Sequence, residues 1–377
     1  MIRISHVITG LAADGAERMM LNLVTRMDSR RFTNEVISLT TLGEVGAELQ
    51  AARIPVRALG LSKNPASFAA FLRMRNLFRQ SPPDVVQTWM YHADLVGGVI
   101  AQWVGLHRVF WGIHHSNLDL KTNKLLTLAT AKTCALLSAS VPLRIVCCSE
   151  AARGAHTAFG YQSGKTELIP NGFDTELFRP DARARKAMRD ELGASEEDQL
   201  VGLAGRFHPH KDHVNFLAAA QAVLSRRKSA LFVLCGRGVH WRNPAFTSLL
   251  SQFDLGDRVR LLDAVPNAQR FFAAMDLVVS SSRTEAFPLA VGESMACGVP
   301  CVVTDVGDSA LLVGATGLTV PSGDSAALAA GINQLLAGGE TLRNQLGAAA
   351  RRRIQEQFSL DSVVARYQDL YTRAMLN

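Results

Sequence analysis

Apolar positions along this chain switch repeatedly between runs of strand length and longer stretches of helical period. Short apolar runs predict strands at 2–9, 35–40, 85–88, 109–113 and 145–148. Between them, apolar residues every three or four positions predict helices at 16–27, 46–53, 68–80 and 92–104. Such alternation implies a parallel sheet with helices on both faces. The turn signal Pro170-Asn171-Gly172 ends this set, and the charged stretch 181–198 after it reads as a domain boundary. A second set follows, with strands at 200–204, 230–235, 259–262, 277–279 and 301–304 and helices at 213–225, 268–274, 288–297, 326–337 and 340–358. A last amphipathic helix, 359–377, is expected to pack back on the first domain. The fold class is therefore α/β, with two Rossmann-like doubly wound domains, 1–178 and 179–358. Facing each other, they would bind ligands in an interdomain cleft at the carboxyl ends of their strands.

Composition narrows the class. A chain of 377 residues with 48% hydrophobic and 19% charged content can bury two cores and carries no low-complexity tract. The first residues, MIRISHVITG, read as a strand rather than a leader, and no stretch reaches the ~18 apolar residues of a spanning helix. The nearest, 125–142, is interrupted by Lys132. The six cysteines, 134, 147, 148, 235, 297 and 301, show no metal-ligand spacing and read as buried thiols in a reducing compartment. A cytoplasmic chain is the simplest reading. Its charge is uneven: residues 1–180 hold 19 Lys+Arg against 13 Asp+Glu, a net of +6, while 181–377 hold 21 against 20, a net of +1. A basic first half points to an anionic partner there.

The stretch 280–305, SSSRTEAFPLAVGESMACGVPCVVTD, concentrates the candidate chemistry. A buried strand breaks into a polar loop, Pro288 stands where a helix begins, and Gly298 closes it before a second strand. Glu285 and Glu293 lie eight positions apart across that loop and helix. A helix N-terminus after a strand suits an anionic ligand, although two surface acids near a helix start have an ordinary explanation. Upstream, Arg206 and Lys211 lie five apart in a loop after a strand, where two cations can converge on one diphosphate.

The order of residues here resembles the E-x7-E region of the retaining glycosyltransferases of family 4, which have the GT-B fold. From Glu285 to Pro300 the family's core, E-G-F-P-x-x-x-x-E-A-M-A-x-G-x-P-V, is matched except for Ala286 and Ser294, where Gly and Ala are usual. VGLAGRFHPHKDH (201–213) resembles the stretch that opens the donor domain, and LIPNGFDTELFRP (168–180) resembles the interdomain segment. VPNAQRFFAAMDLVVSSS (265–282) is similar to the segment bordering the nucleotide base, with Asp263 where Gly is common. In the first domain AADGAERMMLNL (12–23) resembles the G-G-A-E-R turn, with Asp14 in place of the first Gly.

The resemblance implies a transferase that moves a sugar from a UDP- or GDP-sugar with retention of configuration. Arg206, Lys211 and the helix start at Phe287, Pro288 and Leu289 would stabilise the leaving diphosphate, Glu293 would hold the ribose, and Val265 would border the base. Glu285 and His114, from VFWGIHHSNLD (109–119), would act at the sugar. Gly15 would let backbone amides approach a phosphate, and Asp14, His92 and Asp94 would line the acceptor side. No metal or other cofactor is implied. The basic first half suggests a saccharide acceptor carried on a polyprenyl diphosphate, in cell-surface polysaccharide assembly, with a soluble acceptor second. Peripheral contact with an anionic, cytoplasmic membrane face is a further reading, carried by Phe68, Phe71, Leu72, Arg73, Arg75, Phe78, Arg79, Lys121, Lys124 and Lys132. Packing of these helices on their own domain is the plainer one, and no nucleic-acid motif accompanies the charge. A sugar-nucleotide epimerase and a non-catalytic sugar-nucleotide-binding protein are the rival functions.

Overall fold

The computed structural model describes residues 1–61, 67–120 and 123–376. It divides into two compact units, Met1–Gly172 with Leu360–Asn377, and Phe173–Ser359. The division falls directly after the Pro170-Asn171-Gly172 turn rather than at 178/179. Phe173 already belongs to the second unit: its amide donates to the Phe358 carbonyl and its ring stacks on Phe287 at 6.1 Å.

The first unit runs β1 (Ile2–Ile8), α1 (Gly15–Arg26), β2 (Phe32–Ser38), α2 (Gly43–Ala51), β3 (Val56–Ala58), α3 (Ser67–Gln80), β4 (Val85–Trp89), α4 (Tyr91–Trp103), β5 (Val109–Ile113), α5 (Leu125–Leu137), β6 (Arg144–Cys147), α6 (Glu150–Phe159) and β7 (Thr166–Leu168). Its seven strands lie in the order β3-β2-β1-β4-β5-β6-β7, every ladder parallel. β4 and β5 are buried at every position, which is why they read as near-continuous apolar runs. The apolar stretch 125–142 is largely α5, which packs Leu128, Ala131, Cys134 and Ala135 inward. Lys121 and the Phe68 side chain lie outside the described residues.

The second unit runs α7 (Ala182–Leu192), β8 (Gln199–Ala204), α8 (His213–Leu224), β9 (Ala230–Cys235), α9 (Pro244–Leu250), β10 (Val259–Leu261), α10 (Ala268–Ala274), β11 (Leu277–Ser280), α11 (Leu289–Ala296), β12 (Cys301–Thr304), α12 (Ser309–Val313), β13 (Leu318–Val320), α13 (Ser325–Ala337) and α14 (Gly339–Gln357). Its six strands, also parallel, take the order β10-β9-β8-β11-β12-β13. The charged stretch 181–198 is no linker but mostly α7, capped by Asp181, whose carboxylate accepts from the Arg183 and Ala184 amides, and ended by Gly193 at φ 64°. Only Met188 and Leu192 of it are buried. The helix is held instead by Arg185 on Asp276 at 2.6 Å and on the Ala274 carbonyl at 2.9 Å.

The last helix, α15 (Leu360–Leu376), returns to the first unit. Val363, Val364, Tyr367, Leu370 and Tyr371 join Met19, Met20 and Leu23 of α1 in one core, while Met74 and Phe78 of α3, Ile100 of α4 and Cys134 of α5 form the core on the sheet's other face. All six cysteines are buried and none is in a disulfide. No helix among the described residues is long and apolar enough to cross a membrane.

Candidate active site

In both sheets the strand order reverses once, between β8 and β11 in the second unit and between β1 and β4 in the first. Neighbouring strands whose connections leave in opposite directions open a crevice at their carboxyl ends, where ligands of doubly wound sheets bind. Of the residues singled out by sequence, Arg206, Lys211 and Glu285 follow β8 and β11, and Asp14, Gly15 and His92 follow β1 and β4.

In the second unit, Arg206 is exposed just past β8, and Lys211 ends a short helical turn begun by Pro209. Across the reversal, Glu285 lies in the loop after β11. Lys211 Nζ donates to Glu285 Oε1 at 2.5 Å, and the Ser282 hydroxyl donates to the same oxygen at 2.7 Å. The pair is largely shielded, with side chains 28% and 13% exposed, so its field is little screened by water. Two residues that sequence reasoning passed over tie the loops together. Ser281 donates to the carbonyls of Lys211 at 2.8 Å and Asp212 at 3.2 Å, and Arg283 Nε donates to the Asp212 carboxylate at 2.8 Å. Asp212 is at φ 48°, a left-handed conformation that Asp tolerates, and caps α8 by accepting from the Asn215 amide.

Glycines let these loops close on one another. A Cβ at Gly236, φ 141°, would stand 2.2 Å from the Gly205 carbonyl oxygen, and one at Gly307, φ 57°, would stand 2.1 Å from that of Glu285. Asp263 occupies a position at φ 54°, which explains why Gly suits it. Its carboxylate accepts from the Gly238 amide at 3.0 Å and its carbonyl from the Gly236 amide at 2.7 Å. It therefore shapes the loop after β9, and half-buried Val265 follows two residues on.

α11 starts at Leu289 with buried Pro288 as its cap residue, so its first amides open beside the Glu285 loop. Phe287 is buried between Phe173 and Phe358, at ring separations of 6.1 and 5.5 Å. Its ring thereby anchors the helix start. Half-buried Glu293 lies one turn further along α11. Its carboxylate is close enough to the Cys297 thiol to add to the burial that pushes that group up to about 12.

In the first unit, Gly15 opens α1 and Asp14 precedes it with extended backbone, without capping the helix. Half-buried His92 lies in the first turn of α4 after β4, burial pushing its imidazole down. Met90, immediately before that helix, is held at φ 71°, a strained position of the kind found beside functional sites. His114 follows β5. Its ring stacks on Trp89 at 5.0 Å, and Trp89 in turn stacks on Tyr367 at 6.3 Å and donates from its indole to His6 Nδ1 at 3.3 Å. Burial pushes His114 down to about 4, opposed by the Asn171 side chain, so its imidazole is neutral at physiological pH.

Asp94 does not line an acceptor surface. It is fully buried under α4, accepts from the Thr88 hydroxyl at 2.5 Å, and leaves Oδ2 without a hydrogen-bond partner. Position i+3 from the helix start turns it onto the sheet instead of outward. Burial pushes its carboxyl up to about 7, with the Thr88 hydroxyl and the Gly112 amide acting in the opposite direction. Among the described residues, no group of three or more His, Cys, Asp or Glu side chains is placed to hold a metal ion.

Comparison with known proteins gives the same picture. The family model for Glycosyltransferase Family 4 matches residues 13–177, and that for Glycosyl transferases group 1 matches residues 198–338. The chain is 26% identical over 316 residues to the putative glycosyltransferase EpsF of Bacillus subtilis, covering 80% of this chain and 79% of EpsF. It is 23% identical to the UDP-Gal:alpha-D-GlcNAc-diphosphoundecaprenol alpha-1,3-galactosyltransferase of Escherichia coli, covering 83% and 81% of the two chains. Crystalline Anabaena HepE in complex with UDP and glucose superposes with a TM-score of 0.87 at 20% identity, covering 99% of this chain and all of that one. With the two models falling on the two units in order and the sheets built as they are, the chain belongs to the group 1 and family 4 glycosyltransferases and has the GT-B fold.

Proposed function

We propose that this glycosyltransferase takes a hexose from a UDP- or GDP-sugar and transfers it, with retention of anomeric configuration, to a saccharide carried on a polyprenyl diphosphate in cell-surface polysaccharide assembly. The observation that carries the donor reading is the Lys211–Glu285 pair, 2.5 Å apart where the strand order of the second unit reverses, with the α11 N-terminus opening beside it. As the bond from the sugar's anomeric carbon to the diphosphate breaks, negative charge gathers on the leaving phosphate. Lys211, exposed Arg206 and the first amides of α11 are the groups that meet it, without any metal being required. Glu285 is then released to oppose positive charge developing on the sugar ring. Glu293 holds the ribose hydroxyls, and Val265 borders the base. His114 offers a neutral imidazole to a sugar hydroxyl. Asp14 and His92 form the acceptor side, and Gly15 gives backbone amides close approach to a donor phosphate.

The UDP complex of the HepE neighbour supports a UDP-sugar donor, and the diphosphoundecaprenol named in the E. coli relative supports the lipid-linked acceptor. Incubation with a panel of UDP-, GDP- and ADP-sugars and lipid-linked saccharides, followed by mass spectrometry and NMR of the new linkage, tests the reading. Sugar transfer with a retained α or β configuration is expected. Inversion, or an isomerised donor without transfer, sinks it. Glu293→Ala should weaken donor binding by roughly tenfold or more, the loss of a charge-assisted hydrogen bond; unchanged affinity would refute the ribose role.

A further inference from the structure

The loop that follows β8 is held from outside at both ends. At its start the Phe207 ring packs edge-on against Phe246 at 5.1 Å, and the Phe207 amide donates to the Arg237 carbonyl at 2.9 Å. At its end Asp212 caps α8 and pairs with Arg283. Between these anchors lies a short turn, 208–211, whose last residue is Lys211. The Arg283 amide and the Ser281 hydroxyl donate to the carbonyls of His210 and Lys211. The turn's own start rests on His208. Its Nδ1 accepts from the His210 amide at 3.2 Å, and its carbonyl accepts from the Lys211 amide at 2.9 Å. Pro209 has no N–H, so the His210 amide is the first donor that this turn must satisfy.

Ser, Thr and Asn accept at a helix start through an oxygen that remains an acceptor across the physiological range. A ring nitrogen accepts only while it carries no proton. With Nδ1 taken by the His210 amide, the neutral ring holds its proton on Nε2, and a second proton would set two N–H groups against each other. The bond therefore exists in one protonation state of His208 alone. Lys211 depends on it. The lysine stem runs past Gly205, where a Cβ would stand 3.2 Å from its Cγ and Cδ, and its Nζ reaches Glu285 Oε1 at 2.5 Å. A turn that opens at His208 frees that stem to swing. The elements packed here bring further charged and titratable groups: Arg206, His210 and Asp212 on the same loop, His213 of α8, Arg237 after β9, and Arg283 and Glu285 after β11. The His210 ring stands edge-on to that of His208, with centroids 4.4 Å apart.

We propose that the neutral imidazole of His208 is a positioning group for the transfer reaction. By accepting from the His210 amide it holds the turn that delivers Lys211 to the leaving diphosphate, and protonation releases that turn. The inference rests on the leaving-group role given to Lys211 above.

Titration calorimetry of the full chain with UDP and with GDP, from about pH 8 down to about pH 5.5, tests it with Lys211→Ala as the reference. At the alkaline end His208→Ala should weaken nucleotide binding roughly fivefold, the loss of one cap. His208→Asn, whose amide oxygen can take the same bond, should recover most of that loss. Towards acid pH the natural protein should lose affinity relative to His208→Asn, because only its cap takes up a proton; titration of the nucleotide is common to both and cancels. Cooperative urea unfolding of each variant shows that it is folded. Binding by His208→Ala equal to that of the natural protein overturns the proposal, as do an Asn variant no better than Ala and parallel pH profiles for the natural and Asn proteins. If Lys211→Ala weakens binding and His208→Ala does not, the role of His208 alone falls. If Lys211→Ala binds both nucleotides at full strength, or the natural protein binds neither, the leaving-group reading falls with it.

Discussion

Asp94→Asn should relieve the first unit of a pH-dependent cost that the structure allows to be sized. Burial moves the carboxyl from its ordinary 3.8 to about 7, even though the Thr88 hydroxyl and Gly112 amide favour the ionised form. The folded pKa therefore lies above the unfolded one, so between these values the folded chain holds a proton that the unfolded chain has released. Stability from this group is full below the unfolded value and is lost as pH rises towards 7, levelling off above it. At ~1.4 kcal/mol per unit the whole loss is about 4 kcal/mol, of which about 3 kcal/mol falls between pH 5 and pH 8. Asn keeps an acceptor for Thr88 and carries no charge to bury. Urea titrations followed by tryptophan fluorescence suit the measurement, because Trp89, Trp103 and Trp111 report on the first unit and Trp241 alone on the second. Taking the difference between the two proteins at each pH cancels linkage from other groups. The variant should gain on the natural protein by about 3 kcal/mol across that window. Parallel pH profiles would show that Asp94 is ionised in the folded state, and the account of its burial would be wrong.

Three further outcomes follow from other contacts. Gly292→Ala places a Cβ 2.0 Å from the Phe173 ring, and overpacking there should destabilise the second unit by roughly 1–3 kcal/mol in chemical denaturation; Phe173→Leu in the same chain should recover much of it, and strictly additive losses would contradict the clash. His6, His114, His156 and His213 are each pushed by burial to about 4, so the unfolded chain takes up protons that the folded chain refuses, and stability should fall as pH drops from ~6.5 towards 4. In NMR titration the His114 ring resonances should hold steady down to about pH 5; a midpoint near 6.5 would mean the ring is solvated. Lys211→Ala should lower kcat/KM by roughly 100-fold, the cost of losing one donor to developing charge, and activity near the natural level would remove Lys211 from the leaving-group role.

Much of this protein was legible in its residues, for a local reason. A parallel strand buried on both faces must be apolar throughout, so β4, β5, β9 and β12 announce themselves, as do helices with one apolar face such as α1 and α15. α7 and α5 were hidden because their signals are weak or doubled. α7 buries only Met188 and Leu192 and is held by Arg185 on Asp276, a partner far along the chain. α5 is apolar on two sides, which periodicity cannot resolve.

The candidate chemistry divides in the same way. Glu285, Glu293, Arg206 and Lys211 stand out because the residues around them, read in order, resemble the family's motifs; as charges near a helix start and in a Gly-edged loop they have an ordinary explanation. That Lys211 lies on Glu285 and that Ser281 and Arg283 bind the two loops together depends on strands β8 and β11 lying side by side, and Phe287 is an anchor because Phe173 and Phe358 pack on it. Asp94 makes the point most sharply. As a letter beside His92 it looks like a surface acid near a site, yet α4 turns it onto β4 and β5, where only the packed fold sets its solvation and hence its charge. Sequence on its own determined which residues are apolar, charged or free of a Cβ, and with them most of the elements and the two-domain class, while the order of its motifs carried the resemblance to the family. Pairing, burial and protonation arise from distances between segments far apart in the chain, and only the tertiary structure decided those.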